Sequence, residues 1–263
     1  MRLSPLTKKM TALAKAVEWL ANAQRLVVFT GAGVSAESGI PTFRDQLTGL
    51  WAKFDPAQLA TATAFRNDPA LVWGWYEWRR AQVAKALPNA AHVAIAASAR
   101  HVPELVVVTQ NVDDLHERAG SNDVIHLHGS LQVARCFACA RPHPLAQCPS
   151  TGVEASRLEP PRCTHCNGKI RPGVVWFGED LPETALRTAF KSARNADLLL
   201  SVGTSGLVYP AACIPEIARE NGARVVHINT EPADTKDATT LTGRAGEWLP
   251  KLLDAACGTD PGN

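Results

Sequence analysis

The sequence lacks any uninterrupted apolar run of about 18 residues, the length that a helix needs to cross a bilayer. It also lacks a continuous apolar segment near its start, where MRLSPLTKKMTALAKAVEWLA carries scattered charges, so a secretory signal is not expected. Basic runs never exceed the pairs Lys8-Lys9 and Arg79-Arg80. With a net charge of only +2, this excludes a charge-driven nucleic-acid surface from our expectations.

The chain also lacks the even set of cysteines that a disulfide framework needs, because it has seven. Four of them form two CxxC pairs, Cys136-x2-Cys139 and Cys163-x2-Cys166, which can supply four thiolates to a tetrahedral zinc. Four thiolates leave no position for water, so we expect a structural zinc in a reducing, cytoplasmic compartment. Three further side chains are competing ligands without a partner at this spacing: Cys148, His143 and His165.

Strand and helix patterns alternate along the 263 residues, 46% of which are hydrophobic and 20% charged. This predicts an α/β fold, with a mostly parallel sheet covered by helices on both faces. The predicted strands cover residues 26–29, 104–109, 124–129, 173–177, 197–203 and 224–229, the last of which is the final strand that we expect. The predicted helices cover residues 6–20, 69–87, 89–100, 182–196 and 210–221, with another from about 249.

The first predicted strand runs directly into Gly31-Ala32-Gly33, a turn that can present backbone N–H groups to a phosphate. Such turns also occur in many ordinary connections, so the pattern alone is weak. It departs from a dehydrogenase fingerprint because Ala36 replaces the third glycine. No acidic residue ends a second strand about 20 positions later, although Glu231 beside Asn229 offers a substitute. Hydride transfer therefore loses support.

Polar or glycine residues follow five of the predicted strands. Ligands of open α/β sheets bind at these carboxyl ends, so the five motifs together favour a binding site there. His128 ends one strand and would lie near Asn111 and Asp113 if their strands are neighbours. It is placed to act as a general base, although a strand histidine is more often a packing residue. The five motifs are Thr30-Gly31, Gln110-Asn111, His128-Gly129, Gly203-Thr204-Ser205 and Asn229-Thr230-Glu231.

Several long motifs occur in a fixed order over about residues 20–253: GAGVSAESGIPTFRD, TQNVDDLHERAG, HLHG, the two CxxC pairs, VVWFGEDLP, GTSGLVYPAA and INTE. These motifs and their order resemble those of the sirtuins, the NAD-dependent protein-lysine deacylases. The segment YEWRR, with Tyr76-x-x-Arg79, resembles the class III branch of the family. The resemblance implies a Rossmann-like NAD-binding domain with two additions, a helical insertion and a small zinc-binding module.

The resemblance also implies a role for individual residues. His128 would be the catalytic base, assisted by Asn111 and Asp113. The acyl-lysine peptide would contact Tyr76 and Arg79, and would pair with a strand formed by Val174 to Phe177, which includes Trp176. The residues implied to bind NAD are Gly31, Ala32, Gly33, Ala36, Phe43, Arg44, Gln110, Asn111, Asp113, Gly203, Thr204, Ser205, Asn229, Thr230, Glu231 and Ala245.

In the chemistry that the resemblance implies, the acyl oxygen of a modified lysine attacks the nicotinamide ribose and nicotinamide departs. His128 then takes a proton from a ribose hydroxyl, and water completes release of lysine and O-acyl-ADP-ribose. NAD is thus a consumed co-substrate, and the partners are acyl-lysine proteins or peptides. We expect a cytoplasmic monomer that binds neither nucleic acid nor membrane.

Tyr76 and Arg79 can form an acyl pocket in which the guanidinium pairs with a distal carboxylate and the phenol donates a second hydrogen bond. Such a pocket would favour succinyl, malonyl or glutaryl lysine over acetyl-lysine. The alternative is that both side chains belong to the exposed polar face of a helix. Three other functions stay open: a plain deacetylase, a mono-ADP-ribosyltransferase, and a non-catalytic sensor of NAD or ADP-ribose.

The expected domain organisation has three parts. Residues 1–45, 86–135 and 174–263 form the NAD-binding domain, residues 46–85 form the helical insertion with the acyl pocket, and residues 136–173 form the zinc-binding module. The last segment holds five of the seven cysteines and few long apolar side chains, so it needs a metal to stay folded.

Overall fold

The computed structural model describes residues 5–41, 56–145, 157–231 and 239–258. Its strands are β1 (Arg25–Thr30), β2 (Glu104–Thr109), β3 (Val124–His126), β4 (Gly129–Cys136), β5 (Pro142–His143), β6 (Ile170–Val174), β7 (Leu198–Val202), β8 (Arg224–Asn229) and β9 (Thr239–Thr242). Six of them form one parallel sheet in the order β3-β2-β1-β7-β8-β9. This confirms the predicted parallel α/β sheet.

Helices cover both faces of this sheet because side chains along each strand alternate between two cores. The helices are α1 (Pro5–Ala21), α2 (Ala32–Ser35), α3 (Pro56–Leu59), α4 (Ala62–Asn67), α5 (Pro69–Lys85), α6 (Ala90–Ser98), α7 (Leu115–Arg118), α8 (Glu183–Asn195), α9 (Ile214–Glu220) and α10 (Ala245–Cys257). Leu26 and Val28 pack into one core with α1, α6 and α10, whereas Val27 and Phe29 pack into the other with α8 and α9.

A second, antiparallel sheet has the order β5-β4-β6. The sequence prediction of a strand over 173–177 is wrong, because the strand ends at Val174 and begins at Ile170. Pro172 and Gly173 are residue types that disfavour a strand, so the sequence did not indicate one over 170–174. The proline is tolerated because β6 lies at the edge of the small sheet. After Val174 the chain turns, and the Trp176 N–H donates to the Glu179 carboxylate at 2.9 Å.

Two further boundaries differ from the predictions. The strand predicted over 124–129 ends at His126, so His128 lies in a turn rather than at a strand end. Gly129 in this turn has φ +73, and the chain leaves the large sheet there to start β4 in the small one. β8 is not the last strand, since β9 extends the large sheet beyond it.

α3, α4 and α5 pack as a separate layer against the small sheet. Their core contains Phe65, Trp75 and Tyr76 together with Leu131 and Trp176. Asp68 caps α5 by accepting from the Leu71 N–H at 3.1 Å, and Pro69 begins the helix, as the sequence predicts. Among the helices described, none combines the length and the apolar character required to cross a bilayer.

Candidate active site

Two glycine turns meet at the carboxyl ends of β1 and β7. The Gly31 N–H donates to the Val202 carbonyl and the Gly33 N–H to the Gly203 carbonyl, both at 3.0 Å. A Cβ on Gly33 would lie 2.7 Å from the Gly203 Cα, so no larger residue fits. These two N–H groups are used inside the protein, so neither of them is a free backbone donor for a phosphate. Their function is to let the two turns approach closely.

A cleft of about 570 Å³ opens above these turns, a volume typical of small-molecule sites. Thirteen residues that the resemblance assigns to the cofactor or to catalysis line it together with His128: Gly31, Ala32, Gly33, Ala36, Gln110, Asn111, Gly203, Thr204, Ser205, Asn229, Thr230, Glu231 and Ala245. Sequence reasoning missed further lining residues, among them Glu37, Val208, Gly243 and Arg244. Phe43 and Arg44 fall outside the described residues, and Asp113 does not line the cleft.

Asp113 instead lies buried beneath the cleft, where it is held by Ser35. The Ser35 hydroxyl donates to Asp113 Oδ2 at 3.1 Å and accepts from Asn111 Nδ2 at 3.0 Å. The Leu115 N–H donates to the other carboxylate oxygen at 3.2 Å. Burial raises the pKa of Asp113, although these two donors oppose the shift. Ser35 therefore fixes the side chains of two predicted site residues at once.

His128 has a defined tautomer. Its Nδ1 lies 2.9 Å from the Gln110 carbonyl oxygen, which can only accept, so Nδ1 carries the proton and Nε2 has a free lone pair. Burial lowers the pKa of His128, and the hydrogen bond to Gln110 opposes this only in part. At neutral pH the ring is therefore uncharged and can accept a proton at Nε2.

Two more histidines lie buried below the site, and sequence reasoning did not identify either. His92 Nε2 is 3.4 Å from Ser35 Oγ, and His116 Nε2 is 2.9 Å from Thr30 Oγ1. Burial lowers the pKa of His92 to about 4 and that of His116 to about 3, so both are neutral. Their rings pack edge to face with centroids 4.9 Å apart. No motif spacing predicts this cluster, because its residues come from four elements, β1, α2, α6 and α7.

Tyr76 and Arg79 lie on α5 and do not line the cleft described above. Tyr76 is buried, and its hydroxyl oxygen accepts from the Trp176 indole N–H at 3.1 Å. Arg79 is half-buried, with its guanidinium 5.2 Å from the ring centroid of Trp75. Arg80 points elsewhere and pairs with Glu77 at 3.0 Å. Arg79 and Arg80 are consecutive residues of the helix, so their side chains leave its axis about 100° apart.

The three residues expected to form a peptide-binding strand have different environments. Val174 ends β6, and both it and Trp176 are buried, whereas Phe177 is 58% exposed. The Phe177 N–H donates to the Ala60 carbonyl at 2.9 Å. Val174 to Phe177 is therefore not a continuous strand, which corrects the expectation. Phe177 alone of the three offers its side chain to solvent.

The cleft is closed at one end by a contact between distant parts of the chain. Glu37 Oε1 accepts from the Gly246 N–H at 2.8 Å, within the first turn of α10. A carboxylate at a helix N-terminus satisfies an otherwise unpaired donor and interacts favourably with the helix dipole. This bond connects the short helical turn after the GAG sequence to the helix that begins with Ala245.

The four cysteines of the two CxxC pairs form one cluster, with all Sγ atoms within 4.8 Å of one another. The Sγ distances are 3.5 Å for Cys136 to Cys166 and 3.8 Å for Cys139 to Cys163. Zinc–sulfur bonds of about 2.3 Å in a tetrahedron require sulfur atoms about 3.8 Å apart, so the arrangement fits zinc. His143 and His165 do not join the cluster, and Cys148 lies outside the described residues. The predicted ligand set is confirmed as the cluster that fits the metal.

Comparison with known proteins agrees with this geometry. Residues 31–210 match the model of the Sir2 family. Over 243 residues the chain is 62% identical to the NAD-dependent protein deacylase 1 of Pseudomonas aeruginosa, covering 91% of this chain and 97% of that protein. The crystal structure of a Sir2 homolog–NAD complex has a TM-score of 0.83 and 43% identity, covering 92% of this chain and 93% of that one. Sir2Af2 bound to a myristoylated histone peptide has a TM-score of 0.73 and 34% identity, covering 94% and 97%.

The parallel sheet, the paired glycine turns and the cysteine cluster define an NAD-binding enzyme of the sirtuin type. The chain belongs to the Sir2 family. Its cofactors are NAD, which the cleft accommodates, and one structural zinc, which the four cysteines hold.

Proposed function

We propose that this NAD-dependent protein deacylase removes acidic acyl groups from lysine side chains, namely succinyl, malonyl and glutaryl, and also removes acetyl. The products are nicotinamide, the deacylated lysine and O-acyl-ADP-ribose. One observation carries the acyl preference. Arg79 takes part in none of the ion pairs among the described residues, although its guanidinium is half-buried beside a phenol.

The charges around Arg79 and Tyr76 favour an anionic ligand. Burial lowers the pKa of Arg79, while Tyr76 and Asp113 raise it, and an arginine remains charged throughout the physiological range. A cation that has lost part of its hydration without gaining a carboxylate is stabilised when a substrate supplies one. Acetyl-lysine has no such group, so it would leave the guanidinium unpaired.

Tyr76 is suited to be the second donor. Burial raises its pKa to about 12, so the phenol keeps its proton at neutral pH. Its oxygen already accepts from the Trp176 indole, and its O–H has no acceptor among the residues that the structure describes. Because Trp176 itself is held by the Glu179 carboxylate and by Arg171 stacked 3.4 Å from its ring centroid, the phenol oxygen has a fixed position.

Backbone and side-chain hydrogen bonds connect Tyr76 to the turn that carries His128. The Val175 N–H donates to the His128 carbonyl at 2.8 Å, and the next residue, Trp176, holds Tyr76. A substrate whose distal carboxylate meets Arg79 and Tyr76 would thus have its amide near the His128 turn. This proximity supports the assignment of acyl recognition and proton transfer to one site.

The side chains of the cleft would then act as follows. NAD supplies the ribose carbon from which nicotinamide departs. His128 would take a proton at Nε2 and Asn111 would orient the ribose, while Asp113 would act from beneath the cleft through the Ser35 hydroxyl that also holds Asn111. Positioning of this kind accounts for much of an enzyme's rate. The adenosine half would lie against three sets of cleft residues: Gly203, Thr204 and Ser205; Asn229, Thr230 and Glu231; and Ala245.

A panel of acyl-lysine peptides tests the proposal through nicotinamide release. We expect kcat/KM for succinyl-lysine to exceed that for acetyl-lysine. Arg79→Met should lower desuccinylation about 100-fold, as expected when a desolvated charge pair is broken, while deacetylation changes less than about threefold. Lys85→Met, which removes an exposed cation from the same helix, is the matched control. Unchanged desuccinylation by Arg79→Met would contradict the acidic pocket.

Three further points belong to the same proposal. A cytoplasmic location is supported by a zinc site built from thiolates, which need a reducing compartment. The division into a large domain, the helical insertion 46–85 and the zinc module 136–173 is supported by the separate α3–α5 layer and the small sheet. A monomeric assembly is the third point of the proposal.

A further inference from the structure

His126 precedes the proposed base by two residues and has no part in the function described so far. It is the last residue of β3, and its side chain is 16% exposed. Nδ1 lies 3.0 Å from the Asn111 carbonyl oxygen, and Nε2 lies 2.6 Å from Glu117 Oε1. A carbonyl and an ionised carboxylate can only accept hydrogen bonds. Both ring nitrogens must therefore donate, which requires the charged imidazolium.

The charged groups around this ring agree with that form. Glu117 on α7 and Asp113 before α7 face it as anions, and His116 on α7 faces it as a neutral ring. Burial alone would lower the pKa of His126, but the Glu117 hydrogen bond and charge, helped by Asn111 and Asp113, raise it above the ordinary value. Burial would likewise raise the pKa of Glu117, yet the hydrogen bond from His126 lowers it overall.

His126 holds the segment that carries two proposed site residues. Three successive carbonyls, of Gln110, Asn111 and Val112, accept hydrogen bonds from the His128 ring, the His126 ring and the Leu131 N–H. The distances are 2.9, 3.0 and 2.9 Å respectively. Of these three donors only the His126 ring carries a charge, so its hydrogen bond to the Asn111 carbonyl is the strongest of the three.

We infer that His126, held as an imidazolium by Glu117, is a positioning residue. It fixes the Asn111 carbonyl and thereby the orientation of the Asn111 side chain toward the nicotinamide ribose and of Asp113 beneath it. This inference rests on the proposed function. His126 should affect the chemical step rather than the binding of NAD, because the adenosine half of NAD would be held by residues of β7, β8 and α10. Loss of His126 should therefore lower kcat and leave the KM for NAD nearly unchanged.

Three variants separate the two contacts of His126. His126→Leu removes both hydrogen bonds, whereas His126→Asn keeps an N–H donor near the position of Nδ1 and loses the link to Glu117. Glu117→Gln keeps an acceptor and removes the charge. We expect His126→Leu to lower kcat about tenfold, with KM for NAD within twofold, since small misplacements of reacting groups have effects of this size. His126→Asn should recover part of kcat, because it keeps the donor to the Asn111 carbonyl but not the charge.

The control is Glu216→Gln, which neutralises the carboxylate of an exposed ion pair with Arg219 on α9 and should leave kcat unchanged. An unchanged kcat in His126→Leu, or a kcat in His126→Asn as low as in His126→Leu, would overturn the inference. If His126→Leu does not fold, His126→Asn and Glu117→Gln still test the inference. Each removes the positive charge, so each must lower kcat with the KM for NAD within twofold, and an unchanged kcat in both would overturn it.

A spectroscopic measurement tests the protonation state without relying on activity. In protein labelled with ¹⁵N-histidine, both ring nitrogens of His126 should carry protons at pH 7, and the His126→Asn spectrum identifies the signals. In Glu117→Gln one of the two protons should be lost at this pH. A neutral His126 ring in the wild type overturns the inference even if deacylation is observed. Absence of deacylation by the wild type, with the ring doubly protonated, counts instead against the proposed function.

Discussion

The Ser35 hydroxyl and the Asp113 carboxylate form a buried hydrogen bond of 3.1 Å that crosses from the GAG turn to the segment after β2. Because Ser35 also accepts from Asn111, one small side chain connects the two walls of the cleft at the proposed ribose end. Both partners are buried. The geometry of Asn111 and Asp113 therefore depends on a residue of the first glycine loop.

Ser35→Ala should lower both stability and activity. Leaving buried partners without a hydrogen bond costs about 1–3 kcal/mol of unfolding free energy. We expect kcat to fall at least tenfold, because Asn111 and Asp113 lose a shared fixed point. Urea unfolding and nicotinamide release measure the two effects. Ser98→Ala is the matched control, since this buried serine donates to the Ala94 carbonyl within α6. Full activity in Ser35→Ala would show that the bond is dispensable.

Gly203→Ala should be much more destabilising than Gly222→Ala, although both glycines have positive φ, at +61 and +91. A Cβ on Gly203 would lie 2.5 Å from the Val34 backbone nitrogen, whereas a Cβ on Gly222 meets nothing within 4 Å. Both changes carry about 1–2 kcal/mol of backbone strain. The steric overlap adds about 1–3 kcal/mol at Gly203 alone. Equal shifts of the urea midpoint in the two variants would contradict the close approach of the turns.

The stability of the protein should fall on mild acidification because of His92 and His116. Their folded pKa values of about 4 and about 3 lie below the unfolded value of about 6.5. Between pH 6.5 and those values, the unfolded chain binds protons that the native state does not. The unfolding free energy therefore decreases by about 1.4 kcal/mol per pH unit for each histidine as the pH falls.

Urea unfolding at several pH values between 4.5 and 7.5 measures this slope. His92→Gln should reduce the slope of the unfolding free energy against pH by about 1.4 kcal/mol per pH unit, the contribution of one histidine. His101→Gln, at an exposed position, should leave the slope unchanged. Because zinc thiolates also respond to pH, the comparison between variants is the decisive quantity. Equal slopes in wild type and His92→Gln would mean that His92 is not buried in its neutral form.

Removal of zinc should loosen the small sheet, since Cys136 ends β4 and the metal connects it to the segment before β6. Ligation contributes folding free energy directly in sites of this type. We expect the thermal midpoint to fall by about 2–4 °C for each kcal/mol lost. Cys163→Ser should behave like chelated protein, while Cys213→Ser, outside the cluster, should not. Full stability and activity after complete metal removal would argue against a structural metal.

The sequence predicts the large sheet well because its strands are continuous apolar runs with polar ends. β2 and β8 have the predicted limits of 104–109 and 224–229. β6 was mispredicted because Pro172 and Gly173 disfavour a strand on local grounds, and only pairing with β4 reveals it. Short β9 has a polar composition and lies at the sheet edge, so its sequence gives no strong signal.

The site shows the same division between local and long-range information. Glycines and polar residues at strand ends are visible in the sequence, and the topology of a parallel sheet brings them to one edge. The positions of Ser35, His92 and His116 depend on how the GAG turn, α6 and α7 dock against one another. Side chains buried by such docking have no periodic signature, so their pKa shifts could not be predicted either.

The bond between Glu37 and Gly246 has a consequence for synthesis on the ribosome. The GAG turn and β1 are made early, but one end of the cleft depends on a helix that begins at Ala245. Residues 26 and 28 of β1 likewise share their core with Leu249 and Leu252 of that helix. The face of β1 that carries Leu26 and Val28 is therefore incompletely covered in a nascent chain until α10 has left the exit tunnel, and competence to bind NAD is acquired only after α10 has docked.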